Sequence, residues 1–190
     1  MTKDQIKLRS MIMIALFAAI IGVLAQVTIP LPLVPITGQT LAIGLAATIL
    51  GSRNGTFAVI LYLLIGSAGV PVFAEFTAGI SKLFGPTGGF LVGFIPAAFI
   101  IGFYMEKRGF NFINAVIANI IGMIITLAFG TVWLKISADL SWVAAFTGGF
   151  APFIIVGILK AALASWIGIL VRNRLISSRL LFSSKANVNQ

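Results

Sequence analysis

The sequence predicts an all-α membrane protein: a compact bundle of six transmembrane helices, both termini on the cytoplasmic side, with structured loops on the outer side. Three observations predict it. The chain is 59% hydrophobic and 9% charged, with a mean hydropathy of +1.13. An ordinary soluble domain carries about 25% charged residues. Apolar runs recur at lengths suited to crossing about 30 Å of hydrocarbon, which takes roughly 20 helical residues, fewer where a helix ends inside the protein. The basic residues gather at the ends of these runs, mostly on one side.

The runs are read in order as 10–29, 38–52, 55–70, 86–105, 111–133 and 148–171. The second and third are short and are split by "GSRNG", a turn at Gly51–Gly55. A spanning segment must satisfy its own backbone hydrogen bonds, and the runs lack the alternation of a barrel strand, so they are helices. Residues 1–9 form a cytoplasmic N-terminus, 10–171 the membrane domain, and 172–190 a basic cytoplasmic tail. A basic start, an apolar stretch and "VLAQ" also suit a cleaved signal peptide, but the first run is long for one.

Orientation follows from lysine and arginine. With the N-terminus inside, the inner segments hold Lys3, Lys7, Arg9, Arg53, Lys107, Arg108, Arg172, Arg174, Arg179 and Lys185, and the outer loops only Lys82 and Lys135. Positive charge favours the cytoplasmic side, so this bias sets both termini inside. The net charge of +9 is then topology. Nucleic-acid binding would need basic residues clustered among polar ones, so none is expected.

With no cysteine and no histidine, disulfides, thiolate or imidazole metal sites and Cys or His catalysis are excluded. Asp4, Glu75, Glu106 and Asp139 are the whole acid complement, which leaves little for paired-carboxylate chemistry. No G-x-x-x-x-G-K-[ST] phosphate loop occurs, so the chain cannot hydrolyse ATP by that route. No enzyme, cofactor or metal is expected.

Four features could carry function. The first outer loop, "VTIPLPLVPITGQT", is kept from continuous helix by Pro30, Pro32 and Pro35. It is apolar, so it folds onto the bundle, as mere packing or as a pocket wall. Gln39 ends it, where an amide can bond a ligand or cap the next helix. The second outer loop, residues 69–90, is long and rich in glycine and aromatics, Phe73, Thr77, Gly79 and Phe90 among them. Its "GPTGG" (Gly85, Pro86, Thr87, Gly88, Gly89) puts a proline in a helix's first turn and glycines where backbone comes close to a ligand or another helix. Glu75 is the acid of this loop.

The third feature is Lys160, inside the apolar "IIVGILKAAL". A lysine at the centre of a membrane helix costs on the order of 2.5–3.5 kcal/mol by insertion scales. Its side chain tilts toward the helix N-terminus, which lies outside. Phe153, Gly157 and Ala164 share its stripe. This describes an outward cavity with a deep cation and an anionic partner such as a carboxylate; the bland alternative is a snorkelling lysine on water or a backbone carbonyl. The fourth is helix one, where Ala15 with Ala19 and Ala18 with Gly22 form small-xxx-small pairs, suited to packing within the bundle or to docking another membrane protein.

"PLVPITGQT", "GVPVF", "LFGPTGGF" and a final-helix "GILKA", in this order, resemble the BioY family, the biotin-binding S components of energy-coupling-factor (ECF) transporters. The resemblance covers roughly residues 10–170. It implies a six-helix S component of the bacterial cytoplasmic membrane that captures biotin from outside, under its first two outer loops. It implies a transmembrane coupling protein and two ATPase subunits as partners, with biotin as transported ligand. It places docking of the coupling partner on the small residues of helix one. The candidate pocket combines Lys160, Gln39, Thr77 and Thr87 with Phe73, Phe90 and Phe153. The family usually has an aspartate three residues before the final-helix lysine, and here that position is Gly157. Glu75 is the candidate to stand in. The departure leaves a second possibility open, an S component for another small anionic vitamin or cofactor precursor.

Overall fold

The structure is a computed structural model that describes residues 3–178 and 180–181. Arg179 and Lys185, two of the residues behind the expected orientation, lie outside the described residues, as does most of the expected tail. The elements run α1 (Lys3–Leu24), β1 (Thr28–Ile29), β2 (Ile36–Thr37), α2 (Gln39–Ser67), α3 (Ser81–Phe84), α4 (Gly88–Arg108), α5 (Phe112–Ser137), α6 (Trp142–Gly149) and α7 (Phe153–Ser177). Among the described residues, five helical stretches are long and apolar enough to cross a membrane: Asp4–Leu24, Gln39–Ser67, Gly88–Arg108, Phe112–Ser137 and Trp142–Ser177.

The second and third runs form one helix interrupted at a single residue. Gly51 takes φ 82° and ψ −174°, in a region essentially reserved for glycine. The two arms then lie side by side. A Cβ on Gly55 would stand 2.8 Å from Ala47 Cα, and Gln39 Nε2 donates to Tyr62 Oη at 2.5 Å. In a straight helix residues 47 and 55 would be about 12 Å apart. The expected turn over Gly51–Gly55 is thus condensed into Gly51, and Gly55 is the point of closest approach.

A break of this kind orphans backbone groups on both sides. The carboxylate of Glu106, on α4, accepts from Ser52 N and Ser52 Oγ, both at 2.7 Å, at the start of the second arm. The guanidinium of Arg172, on α7, donates to Ile49 O at the end of the first arm and lies 3.4 Å from the centre of the Phe110 ring. Each charge faces the helix end whose dipole it complements.

Two other boundaries differ from the runs. The first helix stops at Leu24 because Thr28–Ile29 pair antiparallel with Ile36–Thr37, so the first loop is a short hairpin with its three prolines at or near the turn. Its Val34 is buried against Phe90, Leu127 and Leu134, as a loop that folds onto the bundle requires. The last run is divided: α6 stops at Gly149 and α7 begins after Pro152, whose φ of −65° suits a helix start.

The core joins α1, α2, α4 and the second loop through Ile21, Val59, Tyr62, Phe73, Phe94 and Met105. It carries one buried polar knot. Asn119 Nδ2 on α5 donates to Thr48 Oγ1 at 3.0 Å, to Ala115 O at 2.9 Å and to Ser165 Oγ at 3.2 Å, joining three helices. The two small-residue pairs of α1 part company. Ala18 is buried and Gly22 packs against Val72 and Tyr62, so this pair faces the bundle interior. Ala15 and Ala19 are exposed.

Candidate functional site

The loop end of the bundle contains a cavity of about 140 Å³. The β-hairpin and the start of α2 supply Val34, Thr37, Gln39 and Thr40; the second loop supplies Phe73, Glu75, Thr77 and Lys82. Thr87, just before α4, joins Phe90 and Phe94 of α4, α5 adds Thr126 and Leu127, and α7 adds Phe153 and Lys160. Sequence order scatters these residues over more than 120 positions. They meet because antiparallel helices bring alternate connections back to this end.

Lys160 forms the deep wall. It is half-buried, and its Nζ donates to Thr37 O at 2.6 Å and contacts Thr40 Oγ1 at 3.4 Å. These partners are neutral dipoles, so they solvate the ammonium without cancelling its charge. The lining carries Lys160 and Lys82 against Glu75, an excess of one positive charge. Aromatic rings close the sides. Phe90 and Phe153 lie 6.2 Å apart at a 40° tilt, and Phe73 stands edge-on to Tyr62 at 5.6 Å. A cavity of this kind suits a small, largely apolar anion with a few polar groups.

Glu75 reaches the lining through an unusual turn. Glu75 and Phe76 both take positive φ, 58° and 54°. Left-handed backbone costs a non-glycine residue roughly 1–2 kcal/mol. Surrounding bonds hold it: Phe73 N donates to Thr77 O at 3.0 Å, Gln26 Nε2 to Phe73 O at 3.0 Å, and Phe76 N to Gln26 Oε1 at 2.8 Å. Gln26 is thus the clamp of the second loop. Nothing in its sequence context, a polar residue just past a helix end, marked it out.

Of the residues selected from sequence, Gln39, Phe73, Glu75, Thr77, Thr87, Phe90, Phe153 and Lys160 line the cavity. Gly157 lines two small recesses beside it, together with Lys160. Gly79, Gly85, Pro86, Gly88 and Gly89 do not line it. A Cβ on Gly88 would strike the Leu83 carbonyl, and one on Gly89 the Trp133 side chain, so these glycines serve packing. Pro86 precedes α4 by two residues instead of standing in its first turn, and Gly79 N donates to Gly66 O at 2.8 Å to brace the loop. Gln39 is engaged on both sides, its Oε1 accepting from Thr37 Oγ1 at 2.8 Å and its Nε2 donating to Tyr62, so its amide orders the wall and does not cap α2, whose first N–H donates to Thr37 Oγ1 at 3.3 Å. Sequence reasoning missed Thr37 and Thr40, which hold Lys160, and Met123 and Thr126 on α5, whose apolar run offers no mark of a binding face.

Residues 1–177 match the sequence model of the BioY family. "Biotin transporter BioY2" of Lactococcus lactis subsp. cremoris (strain MG1363) is 44% identical over 178 residues, covering 94% of this chain and 98% of the relative. "Biotin transporter BioY" of Thermotoga maritima is 39% identical over 163 residues, covering 85% and 95%. The crystal structure of an S component for biotin from an ECF-type ABC transporter aligns with a TM-score of 0.83 at 27% identity, over 91% of this chain and 95% of that one.

Proposed function

We propose, since the chain belongs to the BioY family, that it is the substrate-binding S component of a vitamin uptake transporter and captures biotin in the cavity under its first two outer loops. It is a multi-pass membrane protein that binds and delivers a ligand, and biotin is cargo and not a cofactor. Its bundle crosses a bacterial cytoplasmic membrane six times, counting each arm of α2, with both termini inside; the excess of Lys and Arg on one side supports this. Import is energised by partners, a transmembrane coupling protein and two ATPase subunits. The exposed Ala15 and Ala19 of α1 offer the coupling protein a close approach.

Lys160 carries this reading. An ammonium held half-buried at the deep wall of an otherwise apolar and aromatic cavity has no structural use that would offset its cost in a membrane. Biotin matches the cavity: one carboxylate, a polar ureido ring, and an apolar sulfur ring and chain. Gly157 supports a second reading, capture of another small carboxylate.

Calorimetric titration of the purified protein with biotin tests the proposal. Saturable binding is expected, with a stability gain of ~2.7 kcal/mol at a hundredfold excess over Kd, and Lys160→Met should abolish both. A folded parent that shows neither heat nor stabilisation with biotin, but responds to another small carboxylate, would establish the second reading in its place.

A further inference from the structure

The side chain of Gln26, just past the end of α1, divides its amide among three contacts. Nε2 donates to Gly22 O and to Phe73 O, both at 3.0 Å, and Oε1 accepts from Phe76 N at 2.8 Å. Both N–H groups of the amide are then in use. The bond to Gly22 O would suffice for a residue that only closes the last turn of α1. The other two cross 47 and 50 positions of sequence and grip the second loop on either side of Glu75.

That stretch does not hold its shape unaided. Glu75 and Phe76 take φ 58° and 54°, in the left-handed region that favours glycine. Such backbone persists where the surroundings over-determine it. Phe76 is 72% exposed, so packing does little for it. Within the turn, Phe73 N donates to Thr77 O and Thr77 Oγ1 to Ala74 O. Gln26 adds two bonds from outside, and Phe73, Ala74, Glu75 and Thr77 line the cavity.

Gln26 also stands where the two covering loops meet. Val27 O, one residue on, accepts from Gly38 N at 2.8 Å and closes the hairpin, whose Thr37 holds Lys160. The end of α1 thus fastens both loops.

We infer, taking the cavity as a biotin site, that Gln26 is a positioning residue for capture: it holds residues 73–77 in their left-handed turn before the ligand arrives, and so sets one wall of the cavity from the end of α1. Gln26 does not line the cavity, so it acts through the loop and not on the ligand. A wall formed only part of the time lowers the apparent affinity by that fraction. By reciprocity, the ligand steadies the turn by the same factor that the turn lends to binding.

The test titrates biotin calorimetrically, well below Tm, into the full-length parent, Gln26→Leu and Gln26→Leu/Phe76→Gly. Leucine keeps the bulk and removes all three bonds. Strain at two left-handed residues should weaken binding about 10-fold or more once the clamp is gone. Glycine at 76 removes part of the strain that the clamp opposes, so the double variant should recover part of the loss. A residue that only closed α1 would lower the unliganded Tm, leave Kd unchanged and gain nothing from glycine at 76. Equal Kd in the parent and Gln26→Leu, or a loss that Phe76→Gly does not reduce, would overturn the inference and leave the biotin site standing. Hydrogen exchange in the parent needs no variant to fold. The amide of the exposed Phe76 should be protected, and more so with biotin bound. Exchange as fast as in a free peptide, even with biotin bound, would overturn the inference equally. A folded parent that binds no biotin would overturn the biotin reading, and the role of Gln26 with it.

Discussion

The Lys160 ammonium donates to the carbonyl oxygen of Thr37 at 2.6 Å, joining the middle of α7 to the hairpin that opens α2. The bond spans 123 positions of sequence. It ties the deep charge to the loop that covers the cavity, so binding at one bears on the order of the other.

This bond separates function from stability. Lys160→Met should lose biotin binding while the unliganded protein stays as stable as the parent or gains stability. The lost hydrogen bond costs about 1 kcal/mol, and removing a lysine from the middle of a membrane helix returns more than that. Thermal unfolding in detergent without ligand checks the sign. A large fall in Tm would mean that Lys160 is structural.

Gly51 and Glu106 form a second coupled pair. Gly51→Ala should destabilise more than Glu106→Ala. The first forces a Cβ into backbone that costs about 1–3 kcal/mol for other residues, and the Cβ also collides with the Glu106 carboxylate. The second removes a cap from the second arm of α2, worth about 0.5–2 kcal/mol. Reversible unfolding by denaturant in mixed micelles measures both, and the opposite ranking would mean that the break is held elsewhere.

The Asn119 knot should act as a unit. Asn119→Ala removes the donor that Thr48 Oγ1 and Ser165 Oγ accept from, while Ser165 Oγ keeps its own bond to Ala161 O at 2.6 Å. Interhelical hydrogen bonds in membrane proteins average about 0.6 kcal/mol each, with a maximum near 1.7, so a loss of about 1–2 kcal/mol is expected. Combining it with Thr48→Val should cost less than the sum of the singles, because both remove the same bond. Strict additivity in a double-mutant cycle would refute the coupling.

Glu75 is exposed, so Glu75→Gln should leave the unliganded Tm unchanged. It should weaken biotin about 5–10-fold, since hydrogen bonds to an ionised acceptor are roughly twice as strong as neutral ones. An unchanged Kd would take Glu75 out of the site.

Much of the protein was legible before any coordinates. Hydropathy alone shows helices in a membrane, because lipid leaves the backbone no other partners. The deep cation was legible because charge in an apolar run is costly enough to need a reason. Proline, glycine and aromatic content left the loops open between plain packing and cavity walls, and Phe73, Thr77, Thr87, Phe90 and Glu75 line the cavity. The helix ends were less legible. Gly51 breaks a helix with one residue, and α6 separates from α7 at Pro152, where run lengths blur both events.

Residue types and their order along single segments were enough for the helical class, the family and one lysine inside an apolar run. Folding was needed to show which small-residue face of α1 is exposed, that Gly88 and Gly89 pack against Leu83 and Trp133, that Thr37 holds Lys160, and that Met123 fills the space beside Gly157. Each of these depends on what another helix brings within a few ångströms, and separation along the chain carries no record of that distance.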